Sequence, residues 1–351
     1  MNSRTLAFLA AFTAVLIGTI VVSAQGPRGR GAGDAQGTPL RTAIFDPQQK
    51  IYYADATDRT VRALPVRDNV WMIVGAGGNI TVQTGDDGVL VVDTGSGGAL
   101  TDKVQAILRA ISTRPVRYIL NTSFRPDHTG GNDPMRGAAG AGGRGGAGGP
   151  GGGNRGTPIA AHENVLGRMS APTGKVAPTP ANAWPSETYH NAFHDIYFNG
   201  EGIQMFYIPD AITDGDSIVY FRRSDVIAAG DIFLTTTYPV IDVKSGGTIN
   251  GVIAGLNKLL DICIPKEKQE GGTTVIPGHG RISDEADVLE YRDMLTIIRD
   301  RIQDAIKKGR TLQQVQAAGL TKDYDGRYGA ATGPWTTAMF IEAAYQSLKA
   351  N

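Results

Sequence analysis

Short apolar runs that each end in a polar loop are the feature that most constrains how this chain can fold. Residues 70–74, 80–84 and 89–93 have the length and β-branched content of strands, and GDDG at 85–88 is typical of a hairpin turn between the last two. Further strand-like runs lie at 118–120, 158–161, 203–208, 217–221, 226–229 and 273–276. Together these runs predict a layered α/β domain.

Helical spacing appears between and after these runs. Apolar residues repeat with this spacing at 104–111 and 248–263, and a long stripe runs from Val288 to Ile306. Ser283 is predicted to cap this long helix and Gly309 to end it. Shorter helices are predicted at 163–169, from Thr311 and at 336–348.

Charge and cysteine content exclude several classes of partner and stabilisation. Lys plus Arg and Asp plus Glu each number 34, so net charge attracts the chain neither to nucleic acid nor to an anionic membrane. The one cysteine, Cys263, excludes an intramolecular disulfide and lies in an apolar helical pattern that predicts a buried thiol. We therefore expect a small-molecule substrate or ligand as the partner.

The sequence of the N-terminus predicts that the protein is exported. Residues 1–24 resemble a secretory signal peptide, with Arg4 before an apolar stretch and the small residues Ser23 and Ala24 at a cleavage position. Cleavage would leave no stable membrane anchor and place the protein in the periplasm or outside the cell. An uncleaved anchor is the alternative, because the apolar stretch reaches the shortest length that spans a bilayer.

The rest of the chain divides by composition and periodicity. Residues 25–66 are predicted to be a flexible leader and lead-in, 67–310 the folded domain, and 311–351 C-terminal helices packed on it. The Gly-rich tract at 136–156 has sparse arginines and no aromatic residues, which argues against nucleic-acid binding. A disordered surface insertion is predicted there.

Side chains with metal-binding chemistry follow the ends of predicted strands. Asp127, His128, Asp231 and His279 offer carboxylates and imidazoles without a thiolate. This donor set suits Zn²⁺, with Mn²⁺ or Fe²⁺ as alternatives. By contrast, GAGGN at 75–79 joins two strands rather than a strand and a helix, so it does not indicate a phosphate-binding loop.

Five motifs in this order resemble the metallo-β-lactamase superfamily: NTSFRPDHTGGN, AHENVLGRM, PDAITDGDSIVYF, AAGDIF and VIPGHG. The resemblance covers about residues 67–310. It implies a four-layer αββα sandwich, with the site along one edge between the two sheets, followed here by a helical C-terminal extension.

The resemblance implies that one of two metal positions is lost. The family's first motif, T-H-x-H-x-D-H-x-G-G, has histidines where this chain has Ser123 and Arg125. The third motif, A-H-T-D-G-D, has a histidine where this chain has Ile212. These three residues define the first metal position, and none of them is a suitable ligand for a cation.

The other metal position is complete in the sequence. The resemblance assigns it Asp127, His128 and His279, with Asp231 as the residue that bridges both ions in the family. We therefore expect one divalent metal at most, or none if the site is silent.

Two residues are predicted to be catalytic. Asp127 would take part in activating water at the remaining ion, and Arg125 would replace the missing ion's charge, pair with Asp127 or Asp231 and stabilise an oxyanion. The alternative for Arg125 is a side chain that points to solvent.

Three further aspartates are predicted to support the metal loops, namely Asp93, Asp214 and Asp216. Each is explained equally well as an ordinary turn residue.

Two functions remain open at this point. One is a hydrolase that uses one metal to attack an ester, lactone, amide or similar bond with activated water. The other is a catalytically silent protein that binds a ligand or a protein partner.

Overall fold

The structure is a computed structural model that describes residues 43–138, 156–170, 175–268 and 271–350. The predicted signal peptide at 1–24, residues 25–42 of the predicted leader and lead-in, and residues 139–155 of the predicted insertion lie outside the described residues. No helix within the four described stretches is long and apolar enough to cross a bilayer.

The N-terminal half forms a nine-stranded sheet in sequence order. Its strands are β1 (Ile44–Asp46), β2 (Ile51–Tyr53), β3 (Arg62–Arg67), β4 (Val70–Val74), β5 (Ile80–Gly85), β6 (Gly88–Val92), β7 (Val116–Leu120), β8 (Ile159–His162) and β9 (Glu187–Tyr189). Neighbours are antiparallel from β1 to β6 and parallel from β6 to β9. The predicted hairpin turn at 85–88 is confirmed, since Gly85 pairs with Gly88.

Three strands lie in the segment predicted to be a leader and lead-in. β1, β2 and β3 extend the sheet, and the predicted domain boundary at residue 67 coincides with the last residue of β3. Pro65 lies inside β3, next to a register shift against β4. Proline has no backbone N–H to donate to a neighbouring strand, so a proline within a run of residues argues against a strand. For this reason β3 was not predicted from the sequence.

The second sheet has five strands, also in sequence order. They are β10 (Phe193–Phe198), β11 (Glu201–Ile208), β12 (Asp216–Phe221), β13 (Val226–Ala228) and β14 (Thr274–Ile276). β10 to β13 are antiparallel, whereas β13 and β14 are parallel.

The described residues contain the helices predicted at 104–111, 163–169, 248–263, 288–306, from Thr311 and at 336–348, whereas short helices at 126–129, 132–138 and 325–328 were not predicted. In chain order, the helices are α1 (Ala99–Ile111), α2 (Pro126–Thr129), α3 (Asn132–Ala138), α4 (Glu163–Met169), α5 (Ile249–Ile262), α6 (Glu285–Lys307), α7 (Leu312–Ala317), α8 (Asp325–Tyr328) and α9 (Thr337–Lys349). Cys263 caps the end of α5 and is buried as predicted, and burial raises the pKa of its thiol to about 12.

Two details of the helices correct the sequence predictions. The cap of α6 is Asp284 rather than Ser283, because the Asp284 carboxylate accepts from the Asp287 backbone while Asp287 bonds back to the Asp284 backbone. Arg136, the first residue of the predicted disordered insertion, belongs to α3, and its guanidinium donates to the carbonyl of Trp184 at 3.2 Å.

Alternation of side chains along the strands creates the layers. In β4, Met72 contributes to the core between the sheets and Ile73 to a core beneath α1. A third core joins the outer face of the second sheet to α5, α6 and α9. These three cores confirm the predicted αββα sandwich, with helices continuing to the C-terminus.

The two edges of the sandwich differ in what they carry. At one edge, the ends of β7, β13 and β14 lead into the loops that hold the candidate metal ligands, and the end of β6 leads into Asp93, which contacts His128. At the opposite edge, the buried Glu201 of β11 accepts from Gln83 Nε2 of the first sheet at 2.6 Å and from Ser224 Oγ at 2.7 Å. We call these the ligand edge and the Glu201 edge.

Candidate metal centre

The loop that carries Asp127 and His128 is closed by its own ends. Asn121 follows β7, and its Oδ1 accepts from Asn132 Nδ2 at 2.8 Å while its Nδ2 donates to Asn132 Oδ1 at 3.2 Å. Between them, Pro126 begins the short helix α2, a position where the missing N–H of proline has no cost. Asp127 and His128 are therefore fixed on one helical turn.

Asp93 holds the ring of His128. His128 Nδ1 donates to Asp93 Oδ2 at 2.7 Å, and the Thr122 backbone donates to Asp93 Oδ1 at 2.9 Å. A hydrogen bond to one imidazole nitrogen fixes the ring and leaves the other nitrogen as the ligand atom. Asp93 thus makes the supporting contact that the resemblance implied, directly after β6.

The structure brings the four predicted ligands together. His128 Nε2 lies 3.2 Å from Asp231 Oδ1, and His279 Nε2 lies 3.0 Å from Asp127 Oδ2 and 3.7 Å from Asp231 Oδ1. One donor atom from each of Asp127, His128, Asp231 and His279 lies within 4.8 Å of all the others. The loops after strands of both sheets therefore converge on one point.

Two of these donor atoms show that the cluster fits a cation. Among the described residues, His128 Nε2 and Asp231 Oδ1 are buried and have no hydrogen-bond partner, although they face each other. Buried polar atoms without a partner are costly and rare in folded proteins. A divalent ion would take both lone pairs, together with those of Asp127 and His279, and this mixed oxygen and nitrogen set suits a divalent transition ion.

The charges of the cluster keep its carboxylates ionised. Burial raises the pKa of Asp127 and Asp231, but the neighbouring imidazoles and Arg125 outweigh burial and hold both pKa values below the ordinary range. Burial lowers the pKa of His128, but Asp231 and Asp93 outweigh it and raise that pKa well above its ordinary value when no ion is bound, so a divalent ion would displace the Nε2 proton. Both candidate carboxylate ligands are therefore anionic at neutral pH.

Arg125 lies against the cluster rather than pointing to solvent. Its Nε is 3.3 Å from Asp231 Oδ2 and 3.6 Å from Asp127 Oδ1, and its side chain is 24% exposed. Asp231 is consequently shared, with Oδ2 facing the guanidinium and Oδ1 facing the two imidazoles. The guanidinium thus lies beside the carboxylate that the resemblance assigns to both metal positions.

The two other residues of the first metal position are buried. Ser123 is 1% exposed, and its Oγ has no hydrogen-bond partner among the described residues. Ile212 is fully buried and belongs to the apolar core of the second sheet, with Ile241 and Ile249. A hydroxyl and an aliphatic side chain therefore replace two imidazoles at this edge.

The predicted supporting contacts of Asp214 and Asp216 are not found among the described residues. Asp214 forms an ion pair with Arg168 of α4 at 2.8 Å. Asp216 accepts from the Thr213 backbone at 2.6 Å, and burial raises the pKa of its carboxyl to about 7. Neither hydrogen bonds to a candidate ligand, although the charges of Asp231 and His128 act on the carboxyl of Asp216.

Sequence reasoning missed one residue next to the centre. Asn79 Nδ2 donates to the carbonyls of Pro277 at 2.9 Å and Gly280 at 3.1 Å, on either side of His279. An asparagine after glycines is an ordinary turn signal, and nothing in the sequence connects it to a loop 198 positions away.

Comparison with known proteins agrees with this geometry. The family described as the metallo-beta-lactamase superfamily matches residues 73–279, more than half of the chain. Among curated proteins, no match was found.

Three solved structures illustrate the likeness. The inverting sec-alkylsulfatase Pisa1 from Pseudomonas sp. is 13% identical with a TM-score of 0.57, covering 81% of this chain and 49% of its own. A metallo-beta-lactamase from Pontibacter korlensis is 13% identical with a TM-score of 0.50, covering 67% of this chain and 99% of its own. The DIM-1 metallo-beta-lactamase is 16% identical with a TM-score of 0.50, covering 67% and 97%.

These likenesses concern the fold, since the identities are low. The chain spans about half the length of the alkylsulfatase and nearly the whole length of the two lactamases. With the two packed sheets, the converging loops and the family match over residues 73–279, the chain belongs to the metallo-beta-lactamase superfamily.

Proposed function

We propose that the protein is a metal-dependent hydrolase that holds one divalent ion, zinc or else manganese or iron, on Asp127, His128, Asp231 and His279. Its substrate would be a small molecule with an ester, lactone, amide or similar bond. The observation that carries this proposal is the convergence of four donor atoms within 4.8 Å, two of which are buried without a partner among the described residues. Membership of a hydrolase-like superfamily supports it.

The exposure of the ligands gives the direction of substrate approach. The side chains of His279 and Asp127 are 35% and 26% exposed, whereas those of His128 and Asp231 are 0% and 2% exposed. His128 and Asp231 form the floor of the site, and a substrate reaches it past Asp127 and His279. Asp93 keeps the His128 ring fixed during this approach.

A bound ion of this kind lowers the pKa of a coordinated water toward neutrality and polarises a substrate oxygen. Asp127 Oδ1, the oxygen that does not bond to His279, lies 3.6 Å from Arg125 Nε on a side chain that is 26% exposed. In the proposed reaction it accepts a proton from the attacking water and passes it to the leaving group.

Arg125 compensates in part for the first metal position. Asp127 and Asp231 carry two negative charges and Arg125 one positive charge, so a divalent ion leaves the group with one net positive charge. That charge favours hydroxide and a developing oxyanion. Because a guanidinium cannot coordinate water, we expect altered or reduced activity compared with a two-ion site.

A catalytically silent protein that binds a ligand or a partner is the second candidate. The observation that favours it is the chemistry of the first metal position, where the buried Ser123 and Ile212 and the charged Arg125 are not suitable ligands for a cation. In that case the remaining carboxylates and imidazoles serve the structure of the ligand edge.

Elemental analysis of the purified mature protein separates the two candidates. The hydrolase is expected to hold close to one equivalent of tightly bound metal, and His279→Ala is expected to lose the metal together with hydrolysis of a panel of esters and lactones. His190→Ala is the matched control, since His190 is exposed and outside the cluster. A wild-type protein that contains little metal, and whose ligand binding does not change when a chelator is added, would support the catalytically silent protein.

We also propose that residues 1–24 direct export and that the mature protein begins at Gln25. The charged, apolar and small-residue segments of the N-terminus support this. N-terminal sequencing of protein recovered from the periplasm or the medium tests it, and a retained Met1 would contradict cleavage.

A further inference from the structure

The glycine-rich turn at 75–79, between β4 and β5, contacts both halves of the candidate metal centre. One half is the loop of Asp127 and His128, and the Gly78 backbone donates to the Asp127 carbonyl at 3.0 Å. The other half is the turn at 277–280 that carries His279, and the Asn79 backbone donates to the Gly278 carbonyl at 2.7 Å. Consecutive backbone N–H groups therefore bind the two halves.

The side chain of Asn79 adds to the second contact. Its Nδ2 donates both protons, to Pro277 O at 2.9 Å and to Gly280 O at 3.1 Å. Asn79 is 8% exposed, so water competes little for these bonds. With its backbone bond, one residue makes three hydrogen bonds to the turn that carries His279.

The glycines allow this turn to approach the ligands closely. A Cβ at Gly78 would lie 3.1 Å from His128 Cε1 and 3.2 Å from the Asp127 carbonyl oxygen. A Cβ at Gly77, whose φ is +112°, would lie 2.2 Å from Ser96 Oγ and 3.0 Å from the Asp127 carbonyl oxygen. The backbone at 77 and 78 thus packs directly on the residues that offer ligand atoms.

The need for such a connection follows from the topology. Asp127 follows β7 of the first sheet, whereas His279 follows β14 of the second sheet. Packing of two sheets through apolar side chains is not directional, so it does not by itself set a distance between two loops to a fraction of an ångström. Metal affinity depends on that distance.

We propose that Asn79 is a positioning residue of the metal centre. It holds the 277–280 turn against its own turn at 75–79, which also binds the Asp127 carbonyl, and so sets the separation of His279 Nε2 and Asp127 Oδ2. This inference rests on the proposed function for its effect on metal binding. The hydrogen bonds themselves exist whether or not the protein is an enzyme.

Asn79→Asp is the sharpest test in the full mature protein. The substitution keeps the size of the side chain but turns both donors into an acceptor that faces two carbonyl oxygens. Competition of Zn²⁺ against a chromogenic chelator is expected to show affinity weaker by about tenfold to a hundredfold, the usual effect of disturbing outer contacts of a metal site. The visible spectrum of the Co²⁺-substituted protein is expected to change, because the ligand geometry changes.

Gly78→Ala is a second variant that retains Asn79. Its Cβ would press on the His128 ring, so Zn²⁺ affinity is expected to fall in the same direction by about tenfold. Gly167→Ala in α4 is its control, because a Cβ at Gly167 meets nothing within 4 Å.

Asn199→Asp is the matched control for Asn79→Asp. Asn199 lies at the Glu201 edge, and its Nδ2 donates to Gln83 Oε1 and to the Gly88 carbonyl, each at 3.2 Å. It is expected to destabilise folding but to leave Zn²⁺ affinity within about twofold of wild type. Equal losses of affinity in both variants would overturn the proposal, since they would reflect general destabilisation.

A second readout does not need the metal. With chelator present, amide hydrogen exchange at 275–281 is expected to be faster in Asn79→Asp than in wild type and unchanged in Asn199→Asp. Unchanged exchange, or wild-type Zn²⁺ affinity and Co²⁺ spectrum in Asn79→Asp, would overturn the inference. A wild-type protein that binds none of Zn²⁺, Mn²⁺ and Fe²⁺ would instead overturn the proposed function, and the exchange result would still decide whether Asn79 holds the turn.

Discussion

The Glu201 edge and the ligand edge each bury a carboxylate between the two sheets, but the two groups are in opposite conditions. Glu201 accepts from Gln83 Nε2, from Ser224 Oγ and from the backbone N–H groups of residues 223 and 224, so both of its oxygens are bonded. Asp231 has one oxygen beside Arg125 and the other without a hydrogen-bond partner among the described residues.

The difference shows that burial alone does not separate a structural carboxylate from a candidate metal ligand. Taken over the whole residue, Glu201 is 2% exposed and Asp231 is 4% exposed, so both are buried from water to a similar extent. What differs is the number of donors that replace the lost water. Glu201 accepts hydrogen bonds from groups of both sheets and so links the sheets, whereas Asp231 keeps a lone pair available for a cation.

The largest expected effect comes from rebuilding the first metal position at the ligand edge. A variant with Ser123→His, Arg125→His and Ile212→His restores the three imidazoles that the family motif contains. Metal content is expected to rise from about one equivalent to about two, because the repelling guanidinium is replaced by ligands. Elemental analysis and Co²⁺ titration measure the stoichiometry.

The control for that variant carries Ser123→His and Ile212→His but retains Arg125. It is expected to bind about one equivalent, since the guanidinium still lies against Asp231. A folded triple variant that binds no more metal than this control would show that the loss of the first metal position does not depend on these residues.

Glu201→Gln is expected to have the next largest effect, on folding rather than on metal. The amide nitrogen of glutamine would face donors that now bond to the Glu201 carboxylate, and at least one of these buried donors would be left without an acceptor. The free energy of unfolding is expected to fall by about 2–3 kcal/mol, as measured by urea denaturation with chelator present. Zn²⁺ affinity is expected to stay within about twofold, and a large loss of affinity would contradict the separation of the two edges.

Arg125→Gln tests the charge at the ligand edge. Removing one positive charge makes the centre more negative, so Zn²⁺ affinity is expected to rise by about tenfold while hydrolytic turnover falls. Arg168→Gln is the control, because Arg168 pairs with Asp214 outside the cluster. Unchanged affinity, turnover and folding stability in Arg125→Gln would contradict a role for its charge.

Asp214→Asn should have the smallest effect. Its ion pair with Arg168 is partly exposed, with side chains 28% and 36% accessible, so the loss of stability is expected to be below about 1 kcal/mol. Zn²⁺ affinity is expected to be unchanged. A loss of Zn²⁺ affinity similar to that of Asn79→Asp would show that Asp214 does support the metal centre.

Much of the fold was readable because its strands and helices carry strong periodic signals. The hairpin of β5 and β6 was marked by GDDG, and the predicted helix at 248–263 matches α5 with its two caps. The exact N-cap of α6 could not be predicted, because Ser283 and Asp284 are both good capping residues and only the reciprocal hydrogen bonds between Asp284 and Asp287 decide between them. β3 was hidden by Pro65.

The candidate site was readable in its residue types but not in its contacts. The family motifs identified Asp127, His128, Asp231 and His279, and the structure brings them together. Asp214 and Asp216 share one short turn with similar chemistry, and only the position of Arg168 shows where Asp214 points. The bonds of Asn79 cross from one sheet to a loop of the other, a relation with no local signal in sequence.

The paired amides of Asn121 and Asn132 give the ligand loop a clasp that is independent of the residues it encloses. A loop fastened at its ends tolerates substitution in its middle, because the backbone path is not set by the side chains that change. Ser123 and Arg125 lie within this clasp, as do Asp127 and His128. The clasp thus allows Ser123 and Arg125 to differ from the family motif while the same loop still presents Asp127 and His128.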